Sequence, residues 1–413
     1  MVLIKSQRDT LLAPLQSVSG IVERRHTLPI LSNVLLEKKG ELLTLLATDI
    51  EIQITTSTQV SAGDGDGAVT VGARKLQEIL RSLPESTEIT LNLEDKRLQV
   101  KGGKSRFNLQ TLPADDFPRM TLSDGETRQF SISQRAFRQL IAKTQYSMAA
   151  QDVRYYLNGL MLLVEGKELR AVATDGHRLA YASVEIETEL PRQEMILPRK
   201  TVLELNRLLV DTDDQLNITL AANQVRFAFG SIVLVSKLID GKFPDYERVI
   251  PATLKNHMTV NRQLLMQATQ RAAILTNEKF RGVRVVLAEN VLKLIAANAE
   301  QEEAVEEIEV NYNGDAIDVG FNVSYLLDVL NNVHTDDIQW SFNALLKWRK
   351  RRPRTVDGEG ISVCAAASAL LSATRFAAPA LSASSVACRK LIEWGIKNQT
   401  ILFFVHFDDD RIQ

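Results

Sequence analysis

Residues 42–52, LLTLLATDIEI, and residues 169–180, LRAVATDGHRLA, both carry an alternating apolar run into Ala-Thr-Asp, which sets Asp49 against Asp175 at an offset of 126 residues. A second landmark keeps that offset: TLPADDFPRM at 111–120 answers LIDGKFPDYERV at 238–249. Two independent matches at one spacing are the signature of an internal repeat, so the chain is read in repeats before it is read in motifs. Upstream of the first match stand a strand-like VLIK and then residues 8–22, where Leu11, Leu12, Leu15, Val18 and Ile21 or Val22 recur at helical spacing. Residues 27–54 read as two strands around a Lys-Gly turn. Residues 73–83, ARKLQEILRSL, form a second amphipathic helix with Leu76, Ile79, Leu80 and Leu83 inward, and residues 87–112 alternate as strands with tight turns.

The second copy repeats that order through residues 130–148, 157–182, 199–209 and 216–238. A third opens at residues 258–275, runs through 282–310 and reaches a helix at 321–333 and a strand at 337–343; its counterpart of Asp175 is Asn298, 123 residues on. Three copies of a strand-helix-strand-strand-helix-strand unit predict three homologous α+β domains, at 1–124, 125–253 and 254–343, with SDGETRQ and PATLKNH as polar linkers. Two helices for about seven strands cover one sheet face only. The edge strands are then free to pair between domains, which can close a ring.

Composition bounds the class. The chain has 413 residues, 45% hydrophobic and 24% charged, which suits two to four globular domains and excludes a rod or a disordered chain. No apolar run reaches about 18 residues, the length of a membrane helix, and the opening residues lack a signal-peptide cleavage pattern, so a cytoplasmic protein is expected. Cys364 and Cys388 are its two cysteines, too few for a disulfide framework or a metal quartet, and no metal or cofactor is expected. The formal charge of −2 hides a split: residues 344–413 hold 11 basic and 6 acidic residues, leaving 38 basic against 45 acidic before them. An acidic body argues against nonspecific nucleic-acid binding over the whole surface, while leaving room for one basic face.

The third repeat breaks after Asn343. Its closing strands are replaced by an Ala/Ser-rich stretch, basic at the front (Lys347 to Arg354), with neither strand nor helix period. It reads as a nucleic-acid or targeting cluster, a disordered tail, or, the favoured reading, translation in a shifted frame.

Enzyme chemistry finds no support. GDGDG at 63–67 lacks the Lys-Ser/Thr or closing Glu of a phosphate or calcium loop and reads as a hairpin loop. TDGH at 174–177 has no nucleophile motif beside it. Asp49 and Asp175 are repeat equivalents, so a turn-capping role is favoured over a paired-carboxylate nuclease site. The acidic run 300–309 is read as a solvated face or the partner of a basic edge. Basic residues instead recur at the helices: Arg24 and Arg25; Arg74, Lys75 and Arg81; Arg135, Arg138 and Lys143; Arg199, Lys200 and Arg207; Arg262 and Arg271. On one surface they would read backbone charge rather than base sequence.

Residues 24–37 (RRHTLPILSNVLLE), 151–162 (QDVRYYLNGLML), 173–180 (ATDGHRLA), 240–251 (DGKFPDYERVIP), 277–287 (NEKFRGVRVVL) and 321–330 (FNVSYLLDVL) resemble the bacterial DNA polymerase III beta sliding-clamp family, over about residues 1–343. The resemblance implies a head-to-tail homodimer of three-domain protomers. Its ring would surround double-stranded DNA with helices facing inward, and it would serve as a non-catalytic processivity factor in DNA replication. Implied partners are the polymerase III catalytic subunit, the clamp loader, and other clamp-binding polymerases and repair proteins, with no membrane.

By the same resemblance Arg25 and Gln151 lie near DNA, and the helix-borne Arg24, Arg74, Lys75, Arg199 and Lys200 join them. A pocket for short partner peptides falls at Leu157, Thr174, Gly176, His177, Arg178, Leu179, Pro244, Arg248, Val249, Asn322 and Tyr325. The dimer joint sets Lys104, Arg106, Phe107 and Leu109 against Ile274, Leu275, Glu303 and Glu306 of the other protomer. The sequence departs from the family beyond residue 343, where the closing strands and the apolar C-terminus are absent. The expected result is a weakened third domain with open edges and a half-open pocket. The alternative is a clamp-like scaffold, non-encircling or inactive.

Overall fold

The computed structural model describes residues 2–23, 28–61, 65–94, 96–122, 125–250, 256–342 and 404–405. Arg24, Arg25, Gly63, Asp64 and the tail from Asn343, apart from Phe404 and Val405, therefore lie outside the described residues.

The first repeat runs β1 (Val2–Gln7), α1 (Arg8–Ser19), β2 (Asn33–Lys39), β3 (Leu42–Thr48), β4 (Ile52–Gln59), β5 (Gly67–Gly72), α2 (Ala73–Ser82), β6 (Glu88–Glu94), β7 (Arg97–Gly102) and β8 (Ser105–Leu112). The helical periodicity carries through: α1 buries Leu11, Leu12, Leu15 and Val18, and α2 buries Leu76 and Leu80. Ile79, expected inward, is only half-buried at the rim of α2.

The second repeat has β9 (Arg128–Ser133), α3 (Gln134–Ala142), β10 (Gly159–Thr174), β11 (Leu179–Pro198), α4 (Arg199–Leu208), β12 (Gln215–Leu220), β13 (Gln224–Phe229) and β14 (Ile232–Lys237). Its β10 corresponds to β2 and β3 together. Gly166, within β10, has φ +62°, and its counterpart Gly40, between β2 and β3, has φ +59°. The third repeat places Asn290 there at φ +57°, asparagine being the residue besides glycine that best tolerates the left-handed region.

That third repeat comprises β15 (Asn256–Asn261), α5 (Arg262–Ala273), β16 (Gly282–Ala288), β17 (Val291–Ala297), β18 (Glu303–Glu309), β19 (Ile317–Asn322), α6 (Val323–Asn332) and β20 (Asp337–Phe342). A final two-residue strand, β21 (Phe404–Val405), runs parallel to β11 at Leu179 and Ala180.

Twelve strands of the first two repeats form one sheet in the order β1-β6-β7-β8-β5-β2-β3-β4-β14-β13-β12-β9. The seam is the antiparallel β14–β4 ladder, with Leu234 opposite Ile54 and Ile232 opposite Thr56. Pairing of edge strands between repeats, expected from the sequence, is how the two copies become one body. The third repeat forms a β15-β20 pair and a separate sheet in the order β18-β17-β16-β19. Its core gathers Met258, Leu265, Val285, Leu294, Tyr312, Val323 and Leu330, and stacked Trp340 and Phe342, 4.9 Å apart, close it beside β20.

One device recurs in all three copies. The first backbone N–H of the first helix donates to a carbonyl beyond the second helix: Arg8 to Thr87, Gln134 to Asp214 and Arg262 to Asp336, at 2.8–2.9 Å. In the first and third copies the guanidinium also reaches the second helix's last turn, Arg8 Nη1 to the Leu83 carbonyl at 2.9 Å and Arg262 Nη1 to that of Leu330 at 3.1 Å. A cation at a helix C-terminus satisfies orphan carbonyls and complements the dipole. Arg262, expected among the DNA-facing cations, is engaged in this way instead.

The chain divides into two compact units. One is Met1–Ile141, Asn158–Ala171 and Ser183–Gly241; the other is Ala142–Leu157, Val172–Ala182 and Lys242–Gln413. Residues 142–157, 172–182 and 242–253 of the second repeat thus belong with the third, and they carry nine of the eleven expected peptide-pocket residues.

Candidate nucleic-acid and partner interfaces

The β3–β4 turn of each repeat is built by the residue that the sequence aligns. The Asp49 Oδ1 accepts the backbone N–H groups of Glu51 at 2.9 Å and Ile52 at 2.8 Å. Asp175 does the same for His177 at 2.8 Å and Arg178 at 3.0 Å, and Asn298 for Glu302 at 2.9 Å. Threonine precedes both aspartates and completes the turn, with Thr174 Oγ1 donating to the Arg178 carbonyl at 2.6 Å and accepting from the Gly176 N–H at 3.1 Å. These carboxylates cap turns. Among the described residues no group of three or more His, Cys, Asp or Glu could hold a metal ion.

All eleven expected pocket residues fall in the second compact unit. Leu157, Thr174, Arg178 and Leu179 are buried; Gly176, Pro244, Val249, Asn322 and Tyr325 are half-buried; His177 and Arg248 are exposed. Pro244 and Val249 sit on a turn held by buried Phe243 and Tyr246, and the Val249 N–H donates to the Tyr246 carbonyl at 3.0 Å. Asn322 caps α6 by accepting the Ser324 N–H at 2.9 Å, so it fixes the helix that carries Tyr325.

Arg178 organises this unit. Its guanidinium donates to Asp175 at 3.1 Å, to Asp328 of α6 at 2.5 Å and to the Tyr146 carbonyl at 2.6 Å, and it stacks 4.5 Å from the Tyr325 ring. With its side chain 11% exposed, Arg178 is a strut more than a surface ligand. Burial raises the Tyr325 phenol above its ordinary pKa and raises that of Tyr146 further, so both rings stay neutral beside the cation. Tyr146 and Asp328 were not legible as site residues. Asp328, one turn from Tyr325 on α6, carried the only signal, an (i, i+3) spacing. Arg154 is a further tie, chelating Asp152 at 2.9–3.0 Å and reaching the Asp175 carbonyl at 3.3 Å.

The expected DNA-facing residues divide. Lys75 and Arg74 are exposed on α2, with Arg74 Nη2 donating to the Val22 carbonyl at 3.0 Å. Gln151 is exposed at φ +59°. Arg199 and Lys200, half-buried, open α4. Lys200 Nζ donates to Glu23 at 3.0 Å and also to Asp49. Burial lowers the Lys200 pKa, and those two hydrogen bonds more than reverse it. Arg135 and Arg271, read as helix-borne cations, are likewise engaged, with Asp211 and Asp213 in one case and Glu306 in the other. Repetition of basic residues along the helices therefore reflects pairing and capping as much as an open positive face.

The expected joint residues lie on two strands, β8 and β18, and on the segments beside β8 and α5. In the first unit β8 pairs with β7 along its length but with β5 only at Thr111 and Leu112, which leaves the edge of Arg106, Phe107 and Leu109 open, with Lys104 in the turn before it. In the second unit β18 pairs only with β17 among the described strands, presenting Glu303 and an exposed Val305, while Ile274 is 76% exposed beyond α5 and Leu275 beside it is half-buried. Glu306 already holds Arg271 of its own chain at 2.6 Å. The side-chain hydrogen bond from Arg271 keeps the Glu306 carboxyl below its usual pKa.

Comparison with known proteins agrees with this anatomy. Profiles of the DNA polymerase III beta subunit match in three parts: the N-terminal domain at residues 2–121, the central domain at 131–245 and the C-terminal domain at 247–349. The beta sliding clamp of Pseudomonas aeruginosa is 49% identical over 337 residues, covering 81% of this chain and 91% of the relative. That of Escherichia coli K12 is 48% identical over 333 residues, with the same two coverages. Among solved structures, a P. aeruginosa sliding clamp bound to griselimycin superposes with TM-score 0.79 at 48% identity over 82% of this chain and 92% of that one. A Caulobacter crescentus clamp gives 0.76 at 39% identity, with the same two coverages. With a repeated two-helix, antiparallel-sheet unit matched in all three parts, the chain belongs to the DNA polymerase III beta subunit family, the bacterial sliding clamps.

Proposed function

We propose that this protein is a DNA sliding clamp that encircles duplex DNA and tethers the replicative polymerase and other partners, so that they stay on their template. The observation that carries this reading is the β14–β4 ladder, which welds two repeats edge to edge into one continuous sheet. The same edge-to-edge principle, applied at the basic edge of β8 and the acidic edge of β18, would join two protomers head to tail. Lys104 and Arg106 on one edge meet Glu303 on the other, with Phe107, Leu109, Ile274 and Leu275 as the apolar centre of an interface of the usual anatomy. The domains of this clamp are residues 1–124, 125–253 and 254–343.

Retention on DNA then needs no base contacts and no catalysis. Arg24, Arg25, Arg74, Lys75 and Arg199 supply diffuse attraction to phosphates, Gln151 lies near the DNA, Lys200 contributes through its hold on neighbouring residues, and topology prevents escape. The half-buried surface around Gly176, Pro244, Val249, Asn322 and Tyr325, with His177 at its rim, receives a short partner peptide through an apolar anchor and a few polar groups. The place of action is the cytoplasm, where the replication machinery works.

The test is retention on circular against linearised duplex DNA after loading. A ring stays on the circle at high salt and slides off the linear form. Equal loss from both identifies a non-encircling scaffold instead.

A further inference from the structure

Residues 16–23, the end of α1 and its exit, bury Val18, Ile21 and Val22 in the core, and their outward carbonyls and carboxylate are met by basic side chains from elsewhere in the same compact unit. Arg207 of α4 donates from Nη2 to the Ser17 carbonyl at 2.7 Å and from Nη1 to the Gln16 carbonyl at 3.4 Å. Both carbonyls belong to the last turn of α1, which has no basic residue of its own there. The last four carbonyls of a helix lack partners within it, and a cation is the group best suited to take them. Glu204 orients Arg207 from the same helix at 2.8 Å. The approach is close enough to require Gly20, where a Cβ would fall 2.3 Å from Glu204 Oε2 and 2.5 Å from Arg207 Nη2. Further along, Arg74 takes the Val22 carbonyl at 3.0 Å and Lys200 takes the Glu23 carboxylate at 3.0 Å while also holding Asp49.

Charge at this clasp does not favour phosphate. Lys200 stands between two carboxylates, a local sum of −1, and Arg207 is neutralised by Glu204. A phosphate reaching Lys200 would meet two carboxylates already hydrogen-bonded to it, whose negative charge opposes its approach. Glu23, in turn, runs directly into Arg24 and Arg25 in the sequence.

We propose that Lys200 and Arg207 are positioning residues: they fix Glu23 and the end of α1, and they support DNA binding through that hold and not by touching phosphate. The inference rests on the clamp reading above, in which Arg25 faces DNA. It makes a prediction of unusual sign. Removing the acidic charge of Glu23 should strengthen DNA binding if only charge matters, because the surface becomes less negative and Lys200 is released. If Glu23 is the handle by which Lys200 holds the segment, its removal should weaken binding.

The experiment uses the full chain and a fluorescent duplex oligonucleotide, with anisotropy titrations at several salt concentrations and a melting curve for every variant. Glu23→Gln is expected to weaken binding by about five-fold, the scale of one ordinary net hydrogen bond at a half-exposed pair. Lys200→Gln should weaken it comparably, and the double variant should be no weaker than either single one, since both remove the same pair. Lys200→Arg, which keeps the pair, should stay within about two-fold of the parent. Tighter or unchanged binding by Glu23→Gln overturns the proposal, as do additive effects in the double variant. Glu23 has a side chain 54% exposed, so its substitution leaves the core intact. Arg25→Ala separates the two levels: if it weakens binding and Glu23→Gln does not, the positioning role fails alone, whereas no effect from Arg25→Ala removes the DNA-facing reading beneath it.

Discussion

Strand β12 of the second repeat is flanked by β9 and β13, whereas its counterpart β20 in the third repeat pairs, among the described strands, with β15 alone. Both strands follow the second helix of their repeat, and both bring aromatic or aliphatic side chains to a core beneath two helices. The second repeat goes on to β13 and β14, and β14 is the strand that joins the first repeat through β4. The comparison teaches that the last two strands of a repeat have two duties, closing their own sheet and bonding to the neighbour. A repeat without them keeps its core residues but loses one flank of its sheet, and an open edge is both less protected and available to other chains.

Core truncation should cost most in the closed repeat. Phe137 is fully buried and packs 5.8 Å from Phe227, so Phe137→Ala is expected to lose about 4 kcal/mol of stability. Trp340→Ala, at the half-buried rim of β20, should lose clearly less, about 2 kcal/mol, despite the larger ring. Urea melts of the two variants check the difference, and equal losses would mean that the rim at β20 is as well covered as the core between α3 and β13.

Adding strands after Phe342 tests the contrast. Replacing the residues after Phe342 with a copy of residues 224–237 supplies two alternating strands, and burying two or so further apolar side chains should add about 3 kcal/mol. Calorimetry is expected to show the lower-melting transition moving up toward the higher. Two unmoved transitions would mean that those strands matter only for pairing between repeats.

A subtler contrast lies in the β3–β4 turn. The first repeat forces Ile50 to φ +72°, while the second has Gly176 at φ +87°. Gly176→Ala should destabilise by about 1–2 kcal/mol, from backbone strain and from a Cβ only 2.8 Å from Arg154 Nη2. Ile50→Gly should be neutral or stabilising by a few tenths, because relieved strain outweighs the added freedom of the unfolded chain. Thermal melts with opposite signs confirm the shared geometry.

The smallest expected effect is in acid. Hydrogen bonds from Arg154 hold the Asp152 carboxyl at about 2, below an unfolded value near ~3.9. The folded form therefore gains from this group above about pH 4 and loses that gain as pH falls toward 2. Asp152→Asn should flatten this part of the stability profile by lowering its neutral-pH end, leaving the acid end little changed.

Much of this was legible in the residues. Apolar spacing in 8–22 and 73–83 placed α1 and α2, and the shared offset of Asp49 and Asp175 announced the repeat and their role in capping turns. What could not be read was which partner each cation takes. Arg74, Lys200, Arg207 and Arg262 look alike along the sequence as basic residues on helices, yet each meets a carbonyl or carboxylate from a distant element.

The sequence by itself determined the periodic elements, the threefold repetition and the turn residues, because these depend on interactions within a few residues and on a pattern copied three times. Only the tertiary structure decided that β14 seals against β4, that Arg178 joins Asp175 to Asp328, and that Lys200 lies between Glu23 and Asp49. Long-range pairings follow from which charged groups folding brings within hydrogen-bonding reach, and a linear pattern of charges leaves that choice open.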